Sequence, residues 1–251
     1  MLLKRSTVVF ALLTFAIHYL SSSQVLQGKI TYEATIVDSY LTNLVIMPPH
    51  LKNLELKAGK DAVPVNFHLY FDGTESLYQA EHDVMETKRL GLLMNQTNIV
   101  GRHHYIYYTN LQNGEKYYQN HKVQHILVNM EDLDWKLTKE TKKIGKYTCY
   151  RATATVEAEQ THGMNFLNPV EAWYTNEIPV PFGIQTFVGL PGLTLELTAD
   201  YENAKIHYYA TEIELNPEEK INIEKPEAKL RMSEQEYVEK IKELNERRKK
   251  Y

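Results

Sequence analysis

The chain has 251 residues, 43% of them hydrophobic and 24% charged, with a formal net charge of −4. That is enough chain for one sizeable core, and the acidic balance argues against nucleic acid as a partner. Cys149 is the sole cysteine of the sequence, so an internal disulfide is excluded and stability must come from packing.

The first residues, MLLKRSTVVFALLTFAIHYLSSSQ, set a basic stretch (Lys4, Arg5) before an apolar core from Val8 to Ile17, then Ser21, Ser22 and Ser23. This is the layout of a secretory leader, and cleavage is expected after Ser23. The apolar run falls short of the ~20 residues that span a bilayer, and His18 and Tyr19 interrupt it. No transmembrane span is expected after cleavage. No cysteine near the cleavage site can take a lipid, so the expected product is exported to the periplasm or beyond and is not a lipoprotein. Loss of Lys4 and Arg5 brings its formal charge to about −6.

Residues 24–216 read as one β domain. GKITYEATIVD (Gly28 to Asp38) alternates Ile30, Tyr32, Ala34 and Ile36 with polar neighbours, the period of a first strand. Residues 39–62 follow as a long connection with Leu44, Val45, Ile46 and Met47 ahead of Pro48 and Pro49. Val65, Phe67, Leu69 and Phe71 then alternate into an Asp72-Gly73 turn, a hairpin signal. Residues 81–98 have no clean period and leave helix and strand both open.

Two polar-aromatic runs flank Asn113-Gly114, predicting a hairpin with a two-residue turn. That turn sets His104 opposite Val123, Ile106 opposite His121 and Arg102 opposite His125. Strands are further expected from Trp135 to Glu159 and from Val170 to Thr175, joined by THGMNFLNP, and then in LTLELTA and KIHYYATEIEL. Eighteen tyrosines suit strands with one wet and one packed face. Residues 217–232, rich in Pro, Glu and Lys, read as a linker or an extended edge. Residues 233–251 read as a helix opened by a capping box, Ser233 with Glu236. Strands followed by one terminal helix predict a mainly antiparallel β (α+β) class, a single curved antiparallel sheet or half-barrel.

Few residues suggest chemistry. His104, His121 and His125 share a face of the predicted hairpin and are weak metal candidates, because no acid or cysteine completes a ligand set. Glu131, Asp132 and Asp134 read as a solvated turn. Cys149 is expected to be a small buried side chain rather than a reactive thiol beside Arg151. No nucleophile elbow, zinc helix or phosphate loop is present. No catalytic residue and no cofactor are assigned, and the expected role is non-enzymatic. Three connections carry methionine among apolar residues: Leu44, Ile46 and Met47; Leu93 and Met94; Met164, Phe166 and Leu167. Methionine suits adaptable apolar surfaces, so these eight residues are the candidate ligand contacts.

GLPGLTLEL (Gly189 to Leu197) carries the last signal. Pro191 and Gly192 predict a type II turn with positive φ at Gly192, followed by a strand with Leu193, Leu195, Leu197 and Ala199 on one face. Together with Trp135, Ile144, Gly145, Tyr147, Cys149, Ala152, Trp173, Tyr174, Thr175, Ile178 and Pro179, in that order, this stretch resembles the GLPGLI family of exported proteins, found largely in the Bacteroidota. The resemblance is clear from Trp135 to Leu197. Thr194 stands where the family has isoleucine, and Ile184 where proline is expected. The resemblance implies an exported bacterial β protein and carries no catalytic residues. The layout also looks like periplasmic lipoprotein carriers, whose curved sheet encloses an apolar cavity. The expectation is therefore a binder of a hydrophobic ligand or lipidated partner, with a lipid or lipoprotein as its occupant. The alternative is an envelope-assembly factor that contacts another envelope protein.

Overall fold

The computed structural model describes residues 26–39, 65–81, 104–120, 125–159, 165–201 and 204–249. They form β1 (Gly28–Ser39), β2 (Val65–Phe71), β3 (Glu75–Ala80), β4 (Tyr105–Asn110), β5 (Lys116–Asn120) and β6 (Ile126–Asn129). Next come β7 (Lys136–Ile144), β8 (Tyr147–Glu159), β9 (Asn165–Thr175), β10 (Leu193–Asp200), β11 (Ala204–Leu215), β12 (Leu230–Met232) and a helix, α1 (Glu234–Lys249). All twelve strands join one sheet in the order β12-β6-β5-β4-β3-β2-β1-β11-β10-β9-β8-β7. Every pairing is antiparallel except that of β12 with β6.

The order forces curvature. In a flat sheet ten spacings would separate β6 from β7, roughly 48 Å at about 4.8 Å each. Residues 130–135 connect them, and so short a segment reaches no more than about 25 Å. The sheet therefore curls until its two ends approach, giving the expected single curved sheet. Along this bridge the Met130 N–H donates to the Lys116 carbonyl at 3.1 Å, and the Trp135 indole Nε1 donates to the Val188 carbonyl at 3.0 Å.

Alternation places Ile30, Tyr32 and Ala34 of β1, Phe67 and Leu69 of β2, and Ile206 and Tyr208 of β11 on the inner face, which holds the main core. Residues 176–192 fold across the inner face as well. Phe182, Ile184 and Leu190 are buried there, and Phe182 lies 5.8 Å from Phe71, centroid to centroid. A smaller core of Leu77, Tyr108, Tyr117 and Leu127 sits on the outer face beneath Ile223 and Ala228.

The C-terminal segment wraps the sheet. After Asn216, Tyr117 donates its hydroxyl to the Pro226 carbonyl at 3.1 Å, and the Gln119 amide donates to the Glu227 carbonyl at 3.0 Å, both on the outer face. Leu230–Met232 then pair along β6 as β12. Glu115 locks this passage by bridging Lys225 and Arg231, each at 2.7 Å. The chain finally crosses to the inner face as α1. Its capping box is in place: the Glu236 carboxylate accepts from the Ser233 N–H at 2.8 Å, and the Ser233 hydroxyl accepts from the Glu236 N–H at 3.2 Å.

Three expectations are corrected. The β4–β5 register pairs Ile106 with Gln119, not His121, because the loop is longer than two residues. Asn110 starts the turn early: its side-chain oxygen accepts from the N–H groups of Gln112 and Asn113. Phe166 and Leu167 do not lie in a connection but in β9, opposite Ala158 and Glu157. Pro169 is tolerated in that strand because pairing of β9 with β10 stops at Val170. The type II turn at Gly192 is not formed, since the positive φ, 93°, belongs to Gly189. Gly192 is needed for another reason, a backbone approach so close that a Cβ there would lie 2.0 Å from the Thr175 carbonyl oxygen. Cys149 is a small buried side chain, and the Arg151 guanidinium reaches Glu171 at 2.7 Å and Glu140 at 2.8 Å.

Candidate ligand-binding face

Period-two patterning builds an aromatic row across the inner face. Tyr78 of β3 pairs with Tyr107 of β4, Tyr107 with Tyr118 of β5, and Tyr118 with Val128 of β6. Their rings pack 5.9 Å and 5.7 Å apart. Phe67 stacks on Tyr78 at 5.5 Å and meets Tyr208 of β11 edge-on at 6.0 Å. At the far end Tyr237 of α1 stands against Tyr118 at 6.1 Å, so the helix walls the row.

A polar group lies within these rings. The Gln185 amide nitrogen donates to the Tyr208 hydroxyl at 2.9 Å, and its oxygen accepts from the Tyr201 hydroxyl at 2.8 Å. Gln185 adopts φ 55°, a left-handed conformation that costs a non-glycine residue roughly 1 kcal/mol or more and tends to persist at functional sites. The Tyr32 hydroxyl donates to the Thr194 carbonyl at 2.6 Å. The Tyr78 hydroxyl is different: at 2% exposure it has no hydrogen-bond partner. Burial pushes the phenols of Tyr78 and Tyr208 well above the usual range, so both remain neutral donors. Among the described residues no Lys, Arg, Asp or Glu is buried. Tyr201 is partly exposed, so the group opens to solvent at the strand end between β10 and β11.

That strand end has a further property. β1, β3, β5, β8 and β10 all finish there, and β2, β4, β6, β9 and β11 all begin there. The expected contacts Leu44, Ile46, Met47, Leu93, Met94 and Met164 fall outside the described residues, as do His121 and the leader, but the strands that flank them converge on this end.

The outer face is charged and largely self-paired. A cleft of about 390 Å³ runs over β7 to β11 and is lined by Lys136, Arg151, Thr153, Glu171, Asp200 and Lys205 among others. Arg151 is held by Glu171 and Glu140, and Lys205 lies 3.6 Å from Asp200. Nearby, Glu196 bridges Lys142 at 2.6 Å and His207 at 3.1 Å, and these partners hold its carboxyl low against the opposing effect of burial. The Lys142 ammonium also lies 4.2 Å from the Trp173 ring centroid.

Of the other singled-out residues, His104 and His125 stand just before β4 and β6, and no group of three metal-ligating side chains occurs among the described residues. Cys149 is fully buried, and burial lifts its thiol to about 11. Gly145, with φ 54°, makes the tight turn from β7 to β8. The Gly189 N–H donates to the Pro181 carbonyl at 3.0 Å, tying the segment ahead of Pro191 across to its own start. Tyr78, Tyr107, Tyr118, Tyr208 and Gln185 were not legible as a group from the sequence, although the tyrosine count pointed to a packed aromatic face.

Fold and face together define an open, single-sheet antiparallel β protein with an aromatic inner surface and a C-terminal helix. A family model described as a protein of unknown function (Porph_ging) matches residues 135–170 and 165–196, the stretch that carries the GLPGLI resemblance. Among solved structures, PNGF-II is similar with a TM-score of 0.50 and 16% identity over 85% of this chain. The chain spans 32% of the length of PNGF-II, so the likeness is to one part of a longer protein. Lipoprotein LppX of Mycobacterium tuberculosis is similar at a TM-score of 0.29 and 8% identity, covering 87% of this chain and 99% of that one. LprF from Mycobacterium bovis gives 0.28 and 9%, covering 80% and 90%. No curated protein matches the sequence. No described helix is long and apolar enough to cross a membrane.

Proposed function

We propose that this is an exported, non-catalytic binding protein that holds an apolar ligand against the tyrosine-lined inner face of its curved sheet. The observation that carries the reading is the aromatic row from Phe67 through Tyr78, Tyr107 and Tyr118 to Tyr237, with a small polar group set into it. Ligand sites are typically apolar surfaces with a few convergent polar atoms, and this face has that composition. The strand end beside Tyr201, where ten of the described strands start or finish, is proposed as its entrance. The expected apolar residues Leu44, Ile46, Met47, Leu93, Met94, Met164, Phe166 and Leu167 are proposed to belong near that entrance. A lipid or the acyl chain of a lipidated partner fits this chemistry.

The test is purification of the protein from its own compartment under native conditions, followed by solvent extraction and lipid mass spectrometry. A lipid-class molecule near one per protein is the expected result. Repeated preparations with no such molecule, and no uptake of a neutral apolar fluorophore, would sink the proposal.

A further inference from the structure

Resting on that reading of the inner face, we propose that the ligand carries an uncharged hydrogen-bond acceptor, such as an ester, amide or ketone, which is taken by the Tyr78 hydroxyl, and that ionised headgroups are excluded. Of the hydroxyls around Tyr78, that of Tyr32 is committed to the Thr194 carbonyl at 2.6 Å. Those of Tyr201 and Tyr208 are committed to Gln185 at 2.8 and 2.9 Å. The Tyr78 hydroxyl has no partner, and an unsatisfied buried donor is costly enough that few are retained without a use. Its ring is held by Phe67 on one face and Tyr107 at its edge, so the hydroxyl is fixed in place.

The same surroundings decide the charge of the acceptor. A carboxylate or phosphate needs a cation or several strong donors once it leaves water. No lysine or arginine is buried among the described residues, and the phenols nearby stay neutral because burial raises them far above the usual range. A neutral carbonyl needs one donor, and Tyr78 supplies it. The geometry thus selects a neutral lipid, a lipid ester or an acylated partner over a free fatty acid.

The experiment displaces a neutral apolar fluorophore from the full-length protein with methyl palmitate or with palmitate, at mildly alkaline pH where the acid is ionised. Wild-type protein is expected to prefer the ester by at least about tenfold, the effect of a buried charge with no cation to pair with. Tyr78→Phe is expected to lose about tenfold of ester affinity while its melting temperature is unchanged or higher, because the ligand-free fold loses only an unpaired hydroxyl. Equal affinity for palmitate and its ester, or an unaltered ester affinity in Tyr78→Phe, would overturn the headgroup assignment and leave the inner face as a binding surface. Failure of both ligands and of the fluorophore to bind would overturn the binding reading and this inference with it.

Discussion

A methyl group at position 192 would meet the Thr175 carbonyl oxygen at 2.0 Å and its carbon at 2.6 Å, whereas one at position 189 would meet nothing within 4 Å. The two glycines of the GLPGL stretch therefore have separate duties, one steric and one conformational. Gly189→Ala is expected to cost about 1 to 2 kcal/mol, the strain of a positive φ. Gly192→Ala must push the β9–β10 segment apart and should cost more than about 3 kcal/mol or prevent folding. Thermal melts of the two variants separate these effects, and equal losses would contradict them. Thr194 offers the opposite case. The residue is 1% exposed and its hydroxyl has no partner, at the position where GLPGLI proteins place isoleucine. Thr194→Val keeps the shape and the carbonyl that Tyr32 needs, so it should raise stability by about 1 kcal/mol in chemical denaturation.

At the scale of elements, the C-terminal strap is held by a pH-sensitive lock. The hydrogen bonds that Lys225 and Arg231 donate to Glu115 lower its carboxyl from the ordinary 4.5 to about 2. A depressed carboxylate stabilises the docked strap above its ordinary range, and that stabilisation fades as pH falls from about 4.5 toward about 2. Acidification should therefore shift the Arg231 and Met232 amide resonances across this window, and Glu115→Gln should flatten the titration. The helix and its capping box were legible in the sequence because Ser233 and Glu236 act locally. The β2–β3 turn was legible for the same reason, with Asp72 accepting from the Thr74 and Glu75 N–H groups at 3.3 and 3.1 Å. The register of β4 and β5 was not, since Asn110 competes with Asn113-Gly114 for the turn and nothing in local preference ranks them. The extended edge offered as one reading of residues 217–232 is met by β12, whose three residues become a strand because the edge of β6 is there to receive them.

At the scale of the whole sheet, the described strands β1 to β6 and β7 to β11 form two meanders, joined where β1 pairs with β11. Alternation revealed most strands of both halves, but it left the inner face unreadable. Tyrosines occur as adjacent pairs, Tyr107-Tyr108 and Tyr117-Tyr118, and one member of each goes inward while the other packs outward beneath the strap. Sequence alone cannot say which. The pairing that decides it is long-range, as is the curl of the sheet that makes a bowl of it. That curl depends on the bridge at 130–135, which works as the clasp of a bracelet: its length sets the girth of everything it closes. Inserting Gly-Ser pairs after Glu131 should let the rim relax outward, seen as a larger radius of gyration in X-ray scattering with strand content unchanged. Under the binding role proposed above, the same short fastening would limit the size of a ligand, and the wider variants are expected to accept bulkier acyl groups.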